Sequence, residues 1–134
     1  MKKRTNAHRY NLLLVLILLF TSFSNNAVAQ DNKPYVRIAK ILIDSAQLES
    51  YNAALKEHAE AAVSKEPGVR TLYAVYDKEH PTHVTVFEIY ASLAAYQSHI
   101  QTPHFLKYKS TVKNMVKSLE LTDVIPIALE AKLK

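Results

Sequence analysis

The chain has 134 residues, a formal charge of +5, and 49% hydrophobic and 22% charged residues. That composition fits one small globular domain and excludes a disordered or collagenous chain. One glycine and no cysteine also exclude Gly-rich phosphate loops, disulfides, thiolate metal sites and cysteine nucleophiles.

Lys2, Lys3, Arg4 and Arg9 precede an apolar run over residues 12–20, a polar stretch from Thr21, and Ala27-Val28-Ala29. A basic start, a short apolar run and an A-x-A site form the pattern of a secretory signal peptide. The run is too short for a membrane span, which needs about 20 residues. Residues 1–29 are therefore expected to be a signal peptide cleaved after Ala29. Residues 30–134 then form a single exported domain, periplasmic or secreted, with no membrane association after cleavage. Beyond residue 29 there are thirteen basic and twelve acidic residues. The basicity belongs largely to the leader, and no basic patch remains for nucleic acid.

Residues 35–43 (YVRIAKILI) are rich in β-branched side chains and read as a strand. Asp44-Ser45 signals a helix start, and Leu48, Tyr51, Leu55, Ala59, Ala62 and Val63 continue as an apolar helical stripe that Pro67-Gly68 ends. Residues 69–76 (VRTLYAVY) and 82–90 (THVTVFEIY) predict two strands joined by a short turn, an antiparallel hairpin. Ser92 caps a second helix carrying Leu93, Tyr96 and Ile100. Thr102-Pro103 then supplies an N-cap and a first-turn proline for a further helix bearing Phe105, Tyr108 and Val112. Residues 119–129 predict a last strand, with Pro126 placing its end at an edge.

The order β-α-β-β-α-β predicts an α+β, ferredoxin-like sandwich: a four-stranded antiparallel sheet with the helices on one face. In the third strand Thr82, Val84, Val86, Glu88 and Tyr90 share one side, and His83, Thr85, Phe87 and Ile89 the other. Both sides carry large apolar groups. Both faces are therefore expected to be covered, the second by another sheet in a homodimer.

Val86-Phe87-Glu88-Ile89-Tyr90, followed by residues 95–105 (AYQSHIQTPHF), resembles the antibiotic biosynthesis monooxygenase family: an acidic residue late in strand three, then a helix ending in H-x-x-T-P-H-F. Glu66-Pro67-Gly68-Val69 matches that family's entry to strand two, and the resemblance covers roughly residues 35–129. It implies a dimeric α/β barrel with a pocket between sheet and helices. The family includes cofactor-independent quinol monooxygenases, polyketide oxygenases, haem-degrading enzymes and a sugar-phosphate isomerase. The haem-degrading subgroup relies on a pocket tryptophan, and this chain has no tryptophan. The resemblance thus implies a cofactor-independent monooxygenase taking a quinol-like or enolisable small molecule and dioxygen. The alternative is a non-catalytic dimeric small-molecule-binding or stress-response protein of the same fold, because fold alone does not choose.

His99 and His104 flank the helix break at Gln101-Thr102-Pro103. Their rings would feel opposite ends of two helix dipoles, which suits one acid and one base. Glu88 would orient a histidine or pair with Lys40 or Arg37. These three are the candidate catalytic residues. Tyr73, Tyr90 and Tyr108, with His58 one position off the first helix's stripe, are the candidate substrate-binding residues. The lack of an H-E-x-x-H motif leaves no metal site or cofactor in this reading.

Overall fold

The computed structural model describes residues 33–132, so the expected signal peptide and its Ala29 cleavage site lie outside the described residues. Alternating β-branched side chains draw residues 35–43 and 83–90 together as neighbouring central strands. The elements are β1 (Tyr35–Ile43), α1 (Leu48–Lys65), β2 (Val69–Tyr76), β3 (His83–Tyr90), α2 (Leu93–His99), α3 (Pro103–Val112) and β4 (Val116–Val124). The strands form one sheet in the order β2-β3-β1-β4, every pair antiparallel. This is the ferredoxin-like arrangement expected from the sequence. No helix among the described residues is long and apolar enough to cross a membrane.

The helix ends follow local chemistry. Asp44 accepts from the Ala46 amide at 3.0 Å and caps a single 3-10 turn, Ser45–Gln47, which leads into α1. Ser92 Oγ accepts from the Ala95 amide at 3.2 Å, and Thr102 Oγ1 from the Phe105 amide at 3.3 Å. Such caps each contribute about 1 kcal/mol. Pro103 follows Thr102 at the start of α3, where no amide hydrogen is required. Gly68 allows a close approach of another kind: a Cβ there would lie 2.7 Å from the Ala95 Cβ. Glycine is therefore what lets α2 settle against the start of β2.

The core lies between the helices and one sheet face, with Ala39, Ile41 and Ile43 of β1, Tyr51, Leu55 and Ala62 of α1, and Val84, Val86 and Tyr90 of β3 all buried. The expected sides of β3 hold, since Val84, Val86 and Tyr90 face the helices while Thr85, Phe87 and Ile89 are only half-buried on the other side. Two expectations need correction. The last strand spans Val116–Val124 rather than 119–129. An irregularity between Leu42 and Ile43 brings Val116 opposite Ile43, and Pro126, lacking an amide hydrogen, lies beyond the strand. In β2 the register slips between Val69 and Thr71. One extra residue inverts the alternation, so Leu72 and Ala74 face the helices, while Tyr73 lies on the opposite face and is 63% exposed.

Candidate active-site cavity

A cavity of about 310 Å³ lies between the sheet and the helices. Its walls are mainly aliphatic: Ala39, Ile41, Leu55, Leu72, Val86 and Val112. Polar groups enter from β1, β3 and the helices: Arg37, Glu88, Tyr90, His58, Tyr96 and Tyr108. The lining residues that remain exposed, Lys109 and Lys113 at the end of α3 and Leu119 and Leu121 on β4, place its mouth between those two elements. An apolar cavity with a few convergent polar groups, near the lower end of the usual ligand-pocket size, suits a small flat molecule.

Glu88 and Tyr90 stand two residues apart on the inner side of β3, and Tyr90 Oη donates to Glu88 Oε2 at 3.0 Å. Burial raises the Glu88 carboxyl above the ordinary carboxylate range, against the lowering effects of the Tyr90 bond and of Arg37. The expectation that Glu88 orients a histidine or forms an ion pair is corrected here. Its hydrogen-bond partner is Tyr90. Arg37, although opposite it in the β1–β3 register, spends its guanidinium on Asp123, Tyr35 and Tyr96. Burial also pushes up the Tyr90 and Tyr108 hydroxyls. Both phenols are held as neutral donors.

His58 lies in α1, 5% exposed, stacked on Tyr108 with ring centroids 4.8 Å apart and planes 12° from parallel. Its Nδ1 is buried with no hydrogen-bond partner among the described residues. Burial, reinforced by the neighbouring His99 and His104 rings, lowers its pKa to about 4, so the ring is neutral at pH 7. A buried unpartnered nitrogen costs about 1–3 kcal/mol, and such groups in a folded protein call for an explanation.

His99 and His104 lie at the expected positions, the last residue of α2 and the first turn of α3. Neither is among the residues lining the cavity. Both rings turn to Glu66, whose Oε1 lies 2.8 Å from His99 Nδ1 and 2.5 Å from His104 Nε2. An ionised carboxylate only accepts, so these nitrogens carry the hydrogens. Thr102 Oγ1 donates to the His99 carbonyl at 2.8 Å and meets His104 Nε2 at 3.2 Å. Glu66 is the residue that sequence reasoning left without a role. Its only signal was a place in the Glu66-Pro67-Gly68-Val69 segment.

Glu66, His99 and His104 have ligand atoms within 4.8 Å of one another, a donor set that a metal ion could use. Yet the carboxylate oxygen is closer to each nitrogen than the roughly 3.3 Å expected between ligands of a tetrahedral ion with bonds of about 2 Å. Hydrogen bonding accounts for the trio as it stands. The histidines sit behind His58, with ring centroids 5.2 Å (His99) and 5.8 Å (His104) from it. The structure thus gathers Glu88, Tyr90, Tyr108 and His58 at the cavity, sets His99 and His104 behind it, and leaves Tyr73 on the far face of the sheet.

A family model for antibiotic biosynthesis monooxygenases matches residues 34–111. A solved structure from Bacteroides thetaiotaomicron, described as a candidate member of that family, is 53% identical over 76% of this chain and 97% of its own, with a TM-score of 0.73. A candidate monooxygenase from Lactobacillus acidophilus is 29% identical over 72% of this chain and 46% of its own, with a TM-score of 0.68. A Nitrosomonas europaea structure, 20% identical over 70% of this chain and 90% of its own, shares the fold with a TM-score of 0.67. No curated protein matches the chain.

Proposed function

This chain belongs to the antibiotic biosynthesis monooxygenase family, and we propose that it is an exported, cofactor-independent monooxygenase acting on a quinol-like or enolisable aromatic molecule. One observation carries the reading. A half-buried carboxylate with a raised pKa, Glu88, and a buried imidazole whose Nδ1 has no hydrogen-bond partner among the described residues, His58, line one apolar cavity. Glu88 is the better base, because a raised carboxylate lies nearer the operating pH than an imidazole depressed to about 4. It takes the proton from a substrate hydroxyl, while His58 accepts a hydrogen bond from a second hydroxyl and orients the ring. Tyr90 holds Glu88 in place through its hydrogen bond, Tyr108 donates to developing negative charge, and the aliphatic walls exclude water. The electron-rich anion then reduces dioxygen. For a hydroquinone, one oxygen atom enters the ring and the other leaves as water, with the substrate supplying all four electrons. His99 and His104 act indirectly, holding the ground behind His58.

The test is oxygen uptake by the purified protein with a panel of hydroquinones, alongside Glu88→Gln and His58→Leu variants. Enzyme-dependent uptake lost in Glu88→Gln supports the reading. Uptake that persists in both variants overturns it. The binding-protein reading draws on one feature of the same geometry, the absence of His99 and His104 from the cavity wall. Tight ligand binding without oxygen uptake would select it.

Export and dimerisation belong to this proposal. Mass spectrometry of the protein recovered from outside the cytoplasm should find Gln30 as the first residue. Thr85, Phe87 and Ile89, with exposed Tyr73 and Val75, give the open sheet face an apolar character suited to a second copy. Sedimentation should then report a dimer.

A further inference from the structure

We infer that the mouth of the cavity is an anion-selecting subsite and that the ligand is an aromatic acid. This rests on the cavity being the ligand site, as proposed above. The polar inner end of the cavity is internally matched. Arg37 is engaged by Asp123, Tyr35 and Tyr96, and Glu88 by Tyr90. The mouth is different. Lys109 and Lys113 lie one turn apart on the α3 side, both exposed and both lining the cavity.

Three nearby lysines have acidic partners, Lys107 of α3 with Glu57 at 2.5 Å, Lys117 of β4 with Asp44 at 3.7 Å and Lys56 of α1 with Glu60 at 3.9 Å, whereas Lys65 at the end of α1, away from the cavity, has none within 4.0 Å among the described residues. Among the described residues, Lys109 and Lys113 make no ion pair within 4.0 Å. Among the described residues, the cavity lining contains no acidic side chain except Glu88, whose raised pKa weakens even that charge. A cleft lined by one sign of charge with low-dielectric walls concentrates ligands of the opposite sign.

The strand side of the mouth is apolar, formed by Leu119 and Leu121, 44% and 51% exposed. A flat ring would lie against these leucines and the aliphatic walls, with its carboxylate, sulfonate or phosphate group between the two ammonium groups. Lys109 also stands in the last turn of α3, where a cation complements the helix dipole. That role needs no cavity and predicts no ligand preference, so the two are separable.

The experiment is calorimetric titration of the full chain with 2-naphthoate and with its uncharged isostere 2-naphthamide, at 50 and 500 mM salt, for wild type and K109Q/K113Q. An exposed ion pair is worth about 1.5- to fivefold in affinity, so two lysines should favour naphthoate by roughly tenfold at low salt. The preference should fall to within about twofold at high salt and in K109Q/K113Q. Equal wild-type affinities for acid and amide overturn the inference. So does a preference for the acid that survives in the double variant, because the anion would then be held elsewhere. If neither compound binds, the cavity's assignment as an aromatic site fails, and the inference falls with it. The wild-type comparison needs no variant to fold.

Discussion

Replacing His58 by leucine separates the cost of a functional group from its use. At pH 7 the substitution removes a buried nitrogen without a partner, relieving about 1–3 kcal/mol. It also forfeits the stack on Tyr108, worth about 0.5–1.5 kcal/mol. The His58→Leu protein should therefore be as stable as wild type or about 1 kcal/mol more so. The acid side gives a second magnitude. Burial first, and the nearby His99 and His104 second, lower the His58 pKa from 6.5 to about 4. Between those values the unfolded chain binds a proton that the native state refuses, so stability is complete above pH 6.5 and is lost as pH falls toward 4. Linkage puts this loss at about 2 kcal/mol between pH 7 and pH 4.5. His58→Leu should lack that component. Urea unfolding of both proteins at pH 7.0, 5.5 and 4.5 measures it, the difference in slope isolating His58 from the carboxylates common to both. Oxygen uptake or ligand binding by the same variant should fall sharply. A destabilisation above about 2 kcal/mol at pH 7, or a pH slope equal to wild type, would refute the assignment of His58 as an unsatisfied, neutral cavity residue and make it a core histidine.

Glu88→Gln should reduce turnover by about 10²–10⁴-fold, the usual contribution of a positioned base. Wild-type activity should fall as pH drops through the raised Glu88 range and stay flat there in the variant, a comparison made by pH–rate profile. Gly68→Ala should destabilise by about 1–3 kcal/mol from the clash with Ala95. Adding Ala95→Gly should cost less than the two single changes together, and a double-mutant cycle by thermal unfolding reads that coupling. Glu66→Gln can keep the one oxygen that both rings share as an acceptor but removes the charge from the hydrogen bonds to His99 and His104. It should lose about 1.5–3 kcal/mol of stability in urea, the usual worth of a hydrogen bond to a charged group.

The fold was legible because each element carried its own local signal. The β-branched runs at residues 35–43 and 69–76, the Ser92 cap and the Thr102-Pro103 start lie where local chemistry put them. The alternation along β3 correctly sent Glu88 and Tyr90 inward. Tyr73, expected at the substrate, lies on the other face for a definite reason. Counting by twos from Val69 carries Tyr73 to the inner face, but the slip between Val69 and Thr71 reverses every later side chain. No residue in VRTLYAVY announces the slip, since none is a proline or glycine. The bounds of β4 moved for a related reason, because an extra residue of its own, Lys117, interrupts its pairing with β1 between Leu42 and Ile43.

The histidine motif shows the same limit at the site. His99 and His104 attract attention as titratable groups around a helix break, and their positions were correct. Their partner was not visible, because Glu66 lies 33 and 38 residues earlier in the chain. Only the tertiary packing of the end of α1 against the α2–α3 junction brings it to them. Once Glu66 is in place, the motif acquires a mechanical meaning. Thr102 ties the junction to the His99 carbonyl, and the two rings tie it to α1 through one carboxylate oxygen. His58, on α1 and packed on both rings, is thereby fixed between that brace and the cavity. In the proposed function the conspicuous histidines thus support the site, while the groups proposed to meet a ligand are a strand carboxylate and a helix imidazole with weaker sequence signals. Breaking the brace should consequently act through stability and the placement of His58, so His104→Ala should lose both in proportion. A variant that abolished oxygen uptake while leaving unfolding and ligand affinity unchanged would instead make His104 a direct participant.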